Sequence, residues 1–392
     1  MKKSLIAPYY CVIGGGIIGS WTALHLIRAG VPTVLIEQFP FNHARGSSHG
    51  GSRAFRMLQV DDLAMLTYSL SEWKDLEKGD QGSLFIQTGL INFGEEKDPY
   101  LSESINKVKQ GGYHCKLMGP EEIRKQYPMI RYPNKWSAAY DETAGILVAG
   151  KCVDTVKNEF SKLGGKILQA YVKSITSKVE GGANVHIYHP SGHEENLSFK
   201  KIVACAGPWT SKLFPQLRPI LTTKLIPVTY WQELNELGRP VENPKESIYS
   251  AASGFPVIFN ARLTDVYAIP SYEYPGLMKV LYHGGPDADP DARDKENLLP
   301  YIAHVSDYIK RYLPNLDYSK PAILERCMYT CTADNLPILD EIEENIIVGA
   351  GFSGSGFKHS PAMGKSLASL ALGRETALPD GFQLPHYKLN RF

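Results

Sequence analysis

Three glycines and one acid near the start of the chain stand in a spacing that can do chemistry. Gly14, Gly16 and Gly19 form Gly-x-Gly-x-x-Gly, and Glu37 follows at the end of the apolar run Thr33-Val-Leu-Ile36. Gly14 permits a sharp turn, Gly16 lets a pyrophosphate approach the backbone, and Gly19 lets the following helix pack closely on its strand. The helix N-terminus then faces the phosphates with free N–H groups and a partial positive charge. Glu37 is placed to accept hydrogen bonds from a ribose 2′-OH, and it would repel a phosphate there, which disfavours NADP. The spacing predicts a dinucleotide site without separating NAD from FAD.

Further groups with chemical potential lie downstream. The stretch 42–56 carries His43, Arg45, His49, Arg53 and Arg56 and no acid, a concentration that suggests an anion nearby. Lys279 and His283 are four residues apart, which puts both on the same side of an extended strand. Each taken alone has an ordinary reading, a snorkelling surface lysine and a hydrogen-bonded structural histidine. Cys327 alone reads as a buried free thiol. A second glycine-rich turn, Gly349-Ala-Gly351-Phe-Ser353-Gly354-Ser355-Gly356-Phe-Lys358, offers another cradle of N–H groups.

The elements that must position these residues are legible in part. Tyr9–Ile13 reads as a buried strand and Ile17–Ala29 as a helix ended by Gly30, a βαβ opening. The stretch 42–56 is too rich in Gly and Ser to be a strand. A helix is predicted over 63–77 with Leu66, Leu70 and Trp73 in the core. Residues 83–149 alternate strand-like runs such as Leu90–Phe93 with helices at 102–110 and 120–126. A helix over 151–163 is followed by a hairpin turning at Pro190-Ser191-Gly192 and a strand at 202–206. Residues 220–312 form a strand-rich block dense in aromatics and proline, suited to one wall of a cavity. A last strand, 345–348, enters the second glycine-rich turn, and a helix runs from Pro361 to Leu372.

Composition excludes several classes. The 392 residues carry 42 Lys+Arg against 41 Asp+Glu, a net charge of +1, so neither nucleic acid nor an anionic membrane is an expected partner. No apolar run reaches the length of a membrane helix, and Met1–Ile6 leads straight into the first strand, so a soluble intracellular protein is expected, cytoplasmic by default. The six cysteines form no disulfide framework, and the eleven histidines form no ligand cluster, so no metal is expected.

Taken as a set, these segments resemble the monomeric sarcosine oxidase family of amine-oxidising flavoproteins, and within it the peroxisomal sarcosine and pipecolate oxidases. The matching segments are Gly14–Gly19, Arg45–Arg56, Glu273–His283, Cys327-Met-Tyr329-Thr330 and Gly349–Lys358, in the family's order over nearly the whole chain. The resemblance implies an α/β fold of the DAO/glutathione-reductase-like type: a two-dinucleotide-fold, Rossmann-like FAD-binding domain with a sheet-rich α+β substrate domain. The FAD-binding domain would comprise residues 1–85, 149–216 and 333–392, and the substrate domain 86–148 and 217–332.

The resemblance also implies roles. FAD would be tethered through its 8α-methyl to Cys327. Gly14, Gly16, Ile17, Ile18, Gly19, Glu37, Gln38, Arg45, Ser48 and His49 would bind it, together with Gly354, Gly356, Phe357 and Lys358. Lys279 would lie beside flavin N5 and assist oxygen reduction, His283 would face the substrate amine, and His49 and Arg53 would lie near the ring and its attachment point. Arg56 and Lys358 would hold the substrate carboxylate, with Tyr267 and Tyr329 lining its cavity. This chain departs from bacterial relatives at Gln59, where they carry tyrosine, and at Ser355, where relatives carry histidine. It also has one extra residue between Pro270 and Lys279.

The expected function is oxidation of a secondary amino acid such as sarcosine, pipecolate or proline by a monomer, with dioxygen reduced to hydrogen peroxide. The alternatives are a dehydrogenase passing electrons to a protein acceptor and a non-catalytic nucleotide-binding protein. Family analogy points to the peroxisome, although Arg391-Phe392 is not a Ser-Lys-Leu-type address.

Overall fold

The computed structural model describes residues 9–41, 43–58, 63–79, 82–374 and 381–392. Its first sheet has six strands in the order Ile338–Glu343, Ile346–Ala350, Lys201–Ala204, Tyr10–Ile13, Thr33–Glu37, Lys166–Gln169. All neighbours are parallel except the first pair. Its strands are apolar on both sides because both faces are covered. Val12, Leu35, Val203 and Ile347 pack under helices Ile17–Arg28, Ala149–Lys162 and Gly356–Leu372. Cys11, Ile13, Ile36, Ile202 and Val348 alternate to the other face, against a three-stranded antiparallel meander formed by Tyr171–Ser177, Ala183–Tyr188 and Glu194–Phe199.

Helix Leu63–Glu77 buries Leu66, Leu70 and Trp73, and Trp73 meets Trp21 edge-on at 5.2 Å. The first and last long helices cross closely where the chain has Gly364: a Cβ there would fall 2.6 Å from Trp21 Cβ and 2.8 Å from the Thr22 nitrogen.

The second sheet has eight strands, ordered Ile323–Cys331, Thr222–Gln232, Leu277–Tyr282, Val266–Ile269, Val257–Asn260, Leu90–Glu95, Trp136–Asp141, Cys115–Met118. Alternation again sets its two faces. Met278 and Val280 join a core with Val305, Tyr308 and Ile309 of helix Leu299–Tyr312. Lys279 takes the opposite face and lines the cavity described below.

Two expectations about local structure are corrected. Ser52–Phe55, read from its Gly/Ser-rich surroundings as loop, is a strand, paired antiparallel with Gly145–Val148 in a small sheet that also holds Phe85–Gln87. Long-range pairing outweighs local composition there. The last helix begins at Gly356, five residues before Pro361, and takes the proline into its interior. Pro361 has no N–H for the Phe357 carbonyl, and the Ser360 hydroxyl donates to that carbonyl instead, at 2.8 Å. Gln59 lies outside the described residues. Among the described residues no helix is long and apolar enough to cross a membrane.

Candidate active site

The C-terminal ends of the parallel strands and the inner face of the eight-stranded sheet enclose a cavity of about 490 Å³. At one end lies the first glycine turn. Gly14 has φ +100°, and a Cβ on it would strike the Cys205 carbonyl; a Cβ on Gly19 would strike the Gly14 carbonyl. Gly19 therefore does the packing expected of it but does not line the cavity, whereas Gly14, Gly16, Ile17 and Ile18 do. Glu37 and Gln38 line it as well. Glu37 Oε2 accepts the Gly15 N–H at 2.7 Å and Oε1 accepts the Phe39 N–H at 2.9 Å, which fixes the acid at the strand end. The Ile17 N–H donates to Ser48 Oγ at 3.0 Å, tying the turn to the basic loop.

The basic loop supplies the middle of the cavity through Ser48, His49, Arg53 and Arg56. Arg45 does not join them: its guanidinium pairs with Asp294 at 2.5 Å and its side chain is outside the cavity lining. Part of the loop's positive charge is thus met by the protein's own acid, while His43, whose imidazole burial holds below its usual value, faces Glu37 at 3.7 Å. Arg53 is held by three carbonyls, those of Ser52, Ser47 and His49 at 2.8, 3.0 and 2.6 Å, and its Nη2 reaches Cys327 Sγ at 3.8 Å. His49 has a buried Nδ1 with no partner among the described residues. Burial, then the Arg53 and Arg293 guanidinium groups, pull its imidazole down to about 3, so it is neutral at physiological pH.

At the far end two cations converge. Arg56 lies over the Phe259 ring, 4.0 Å from its centroid, and donates to the Leu58 carbonyl at 2.9 Å. Asp141, buried in the second sheet, accepts the Met57 and Leu58 N–H groups and thereby pins the chain just after Arg56. Lys358, projecting from the first turn of the last helix, is buried and among the described residues reaches only the Ser355 carbonyl, at 3.4 Å. Burial and then Arg56 push its ammonium well below the usual lysine value. Burial brings Arg56 down to about 10. His283 faces the same two cations; burial, Arg56 and Lys358 lower it to about 4, leaving a neutral imidazole.

Around these charges stand aromatic rings. His283 lies 5.5 Å from Tyr267, 5.7 Å from Tyr329 and 6.0 Å from Phe259, and the Tyr267 and Tyr329 hydroxyls are 3.4 Å apart. Gly354 closes the box: a Cβ there would fall 2.7 Å from His283 Cε1 and 3.2 Å from Tyr329 Cε2. Gly356 and Phe357 line the cavity beside it, as does Lys279, which is buried in the opposite wall. Every residue expected at the site lines this one cavity except Gly19 and Arg45. Sequence reasoning missed Phe259, which lines the cavity, Asp141, which pins the backbone after Arg56, and Lys157, which lines the cavity within electrostatic reach of Glu37. Phe259 and Asp141 sit in runs that read as ordinary strand, and Lys157 in an ordinary amphipathic helix, so nothing in their spacing marked them.

The family model for DAO, FAD dependent oxidoreductase, matches residues 10–370. Peroxisomal sarcosine oxidase of Mus musculus is 32% identical over 97% of this chain and 95% of its own length, and that of Homo sapiens is 33% identical over the same shares. The chain belongs to the DAO family, in its sarcosine oxidase branch. Monomeric sarcosine oxidase of Bacillus sp. (strain B-0618) is 29% identical over 93% of the chain and 92% of its own length. Among solved structures, L-proline dehydrogenase from P. horikoshii shares the fold with TM-score 0.77 at 20% identity, covering 98% of this chain and 97% of that one. The amino acid oxidase NikD does so with TM-score 0.75 at 16% identity, over 97% and 96%.

As a DAO-family protein of sarcosine-oxidase type the chain is an FAD-dependent amine oxidoreductase. The residues present fit that cofactor. Side-chain-free glycines leave the backbone of the first turn open at the nucleotide end, and the cavity continues without interruption to Cys327 Sγ and to the second glycine turn.

Proposed function

We propose that the protein is an oxidase of small secondary amino acids of the sarcosine, L-pipecolate or L-proline type, working as a monomer with dioxygen as electron acceptor. The observation that carries this reading is the convergence of Arg56 and Lys358, two buried cations, on an aromatic box that also holds a neutral imidazole. Buried like charges this close are costly until an anion arrives. A substrate carboxylate supplies it: arginine offers a planar fork and lysine a point charge. The carboxylate anchored there, the rest of a small amino acid lies against Tyr267, Tyr329 and His283.

When bound, FAD would supply the redox chemistry: two-electron oxidation of the substrate's C–N bond to an imine, which water hydrolyses, at the expense of dioxygen, which becomes hydrogen peroxide. The chain's own residues orient and hold. Arg56 and Lys358 fix the substrate's distance and direction, which replaces a bimolecular encounter by a positioned one. His283, kept neutral first by burial and then by Arg56 and Lys358, offers an acceptor nitrogen to the amine, while those two positive charges favour the amine's uncharged form. Lys279 presents a fixed positive charge to the side where dioxygen is reduced. Cys327, with Arg53 at 3.8 Å, is the point of covalent attachment, since a thiolate is the nucleophile such a bond requires and a guanidinium stabilises it. Glu37 and Gln38 would hold the adenosine end, and His49, Ser48, Gly354, Gly356 and Phe357 would hold the ring. By analogy with the mouse and human relatives, the cellular site is the peroxisome.

The test is oxygen uptake by the purified holoprotein with sarcosine, L-pipecolate and L-proline. One of these substrates is expected to consume dioxygen and form an equal amount of peroxide. Reduction of a dye acceptor by the amine with no oxygen uptake would overturn the oxidase reading in favour of a dehydrogenase.

A further inference from the structure

Lys279 is gripped by a set of groups that the function above does not use. Glu273 Oε1 accepts three hydrogen bonds: from Ser52 Oγ at 2.8 Å, from the Tyr230 hydroxyl at 2.9 Å and from Lys279 Nζ at 3.3 Å. Lys279 also donates to the Ser52 carbonyl and hydroxyl, both at 3.1 Å, and lies 5.1 Å from the Tyr230 ring centroid. The two side chains are 3% and 11% exposed, so this is an ion pair almost out of water. Behind it the Tyr230 hydroxyl lies 3.4 Å from Glu325 Oε2, whose other oxygen accepts from the Tyr274 hydroxyl at 3.3 Å. Gly51 makes the approach feasible, since a Cβ there would fall 2.5 Å from Glu273 Cβ.

A buried pair of this kind is poor evidence for stability, because well-packed apolar side chains serve a core as well or better. Its use must lie in the charge it preserves. Lys279 borders the cavity on the inner face of the eight-stranded sheet, where an unsupported ammonium would lose its proton. Burial lowers its proton affinity, Glu273 opposes that most strongly, Arg53 adds to it, and Glu325 opposes it more weakly. Glu273 remains ionised because Lys279, Ser52 and Tyr230 together outweigh its own burial.

We propose that Glu273 is the positioning residue that keeps Lys279 charged and fixed in the cavity wall, with Ser52 and Tyr230 orienting its carboxylate. The inference rests on the reading of Lys279 as the cation on the dioxygen side. Glu273 touches no reacting atom; it acts through Lys279.

The test compares holoprotein carrying Glu273→Gln or Glu273→Met with the parent. The Lys279 side-chain signal, in protein labelled at lysine and assigned by its disappearance in Lys279→Met, is titrated by NMR. The pH profile of flavin reoxidation by dioxygen is measured alongside. Either neutral variant is expected to lower the Lys279 titration by at least about one pH unit, a tenfold change in proton affinity, and to move the alkaline limb of reoxidation the same way. Glu273→Asp is expected to restore most of both. An unmoved Lys279 titration in a neutral variant that melts like the parent overturns the proposal, and having two such variants guards against one that fails to fold. If Lys279→Met reoxidises as fast as the parent, the dioxygen reading of Lys279 falls, and the titration still decides what Glu273 does.

Discussion

At the scale of single residues the chemistry of the site follows from burial of charge. Arg53, Arg56, Lys279 and Lys358 all line one cavity, and each is held by a different device: a ring of carbonyls, an aromatic face, an ion pair and a helix turn. Cys327 was legible as special only through its flanking Met-Tyr-Thr, because a lone buried cysteine is an ordinary core residue. In the structure it meets Arg53, while Cys331 on the same strand pairs with Thr222 at the sheet edge. If Cys327 carries the flavin, acid-precipitated protein keeps its yellow colour in the pellet and Cys327→Ala releases it to the supernatant. A colourless pellet from the parent protein would show that no tether exists. Arg45 was indistinguishable in sequence from its neighbours in the basic loop. Its partner, Asp294, lies far along the chain, and no local pattern announces it.

At the scale of elements, the glycine turns and the strands they end were readable, because Gly14 and Gly19 answer to backbone atoms a few residues away or on a neighbouring strand. The strand at Ser52–Phe55 was not, since only its pairing with Gly145–Val148 makes it one. Pro361 was read as a helix start for the usual reason that it cannot continue a hydrogen-bond ladder. Ser360 removes that objection by serving the orphaned carbonyl, and His25 of the first helix bonds to the carbonyl of Pro361 itself at 3.1 Å. Burial, then Arg28 and Lys365, hold His25 down at about 3, against a usual 6.5. Between those values the unfolded chain binds the extra proton, so its contribution to stability is complete above pH 6.5 and is lost progressively as pH falls. His25→Gln, which keeps a donor for the Pro361 carbonyl, is expected to flatten the slope of unfolding free energy against pH between about 6 and about 4 by up to about 1.4 kcal/mol per pH unit. Denaturant melts across that range check it; an unchanged slope would mean that His25 takes up its proton in the folded chain as readily as in the unfolded one.

At the scale of the whole molecule, two sheets divide the labour. The mostly parallel six-stranded sheet presents its strand ends to the glycine-turn end of the cavity, while the mixed eight-stranded sheet turns one face to a core and the other to the cavity. The two-cation end of the cavity is assembled from stretches distant in sequence: Arg56 just after a strand of the small sheet, Phe259 and Tyr267 on the eight-stranded sheet with His283 just past one of its strands, and Lys358 on the last helix. For that reason the identity of the site residues was legible by family likeness, whereas the shape of the box and the presence of Phe259 were not. The central claim is that this end of the cavity recognises a carboxylate. It is tested most directly by anaerobic titration of the holoprotein with matched pairs that differ only in that group, L-pipecolate against piperidine and L-proline against pyrrolidine, following loss of flavin absorbance. Two charge-assisted contacts at about 1.5–3 kcal/mol each predict that the amino acid of the productive pair bleaches the flavin at concentrations at least about 100-fold below its decarboxylated partner. Equal potency of the two members of that pair would contradict the account.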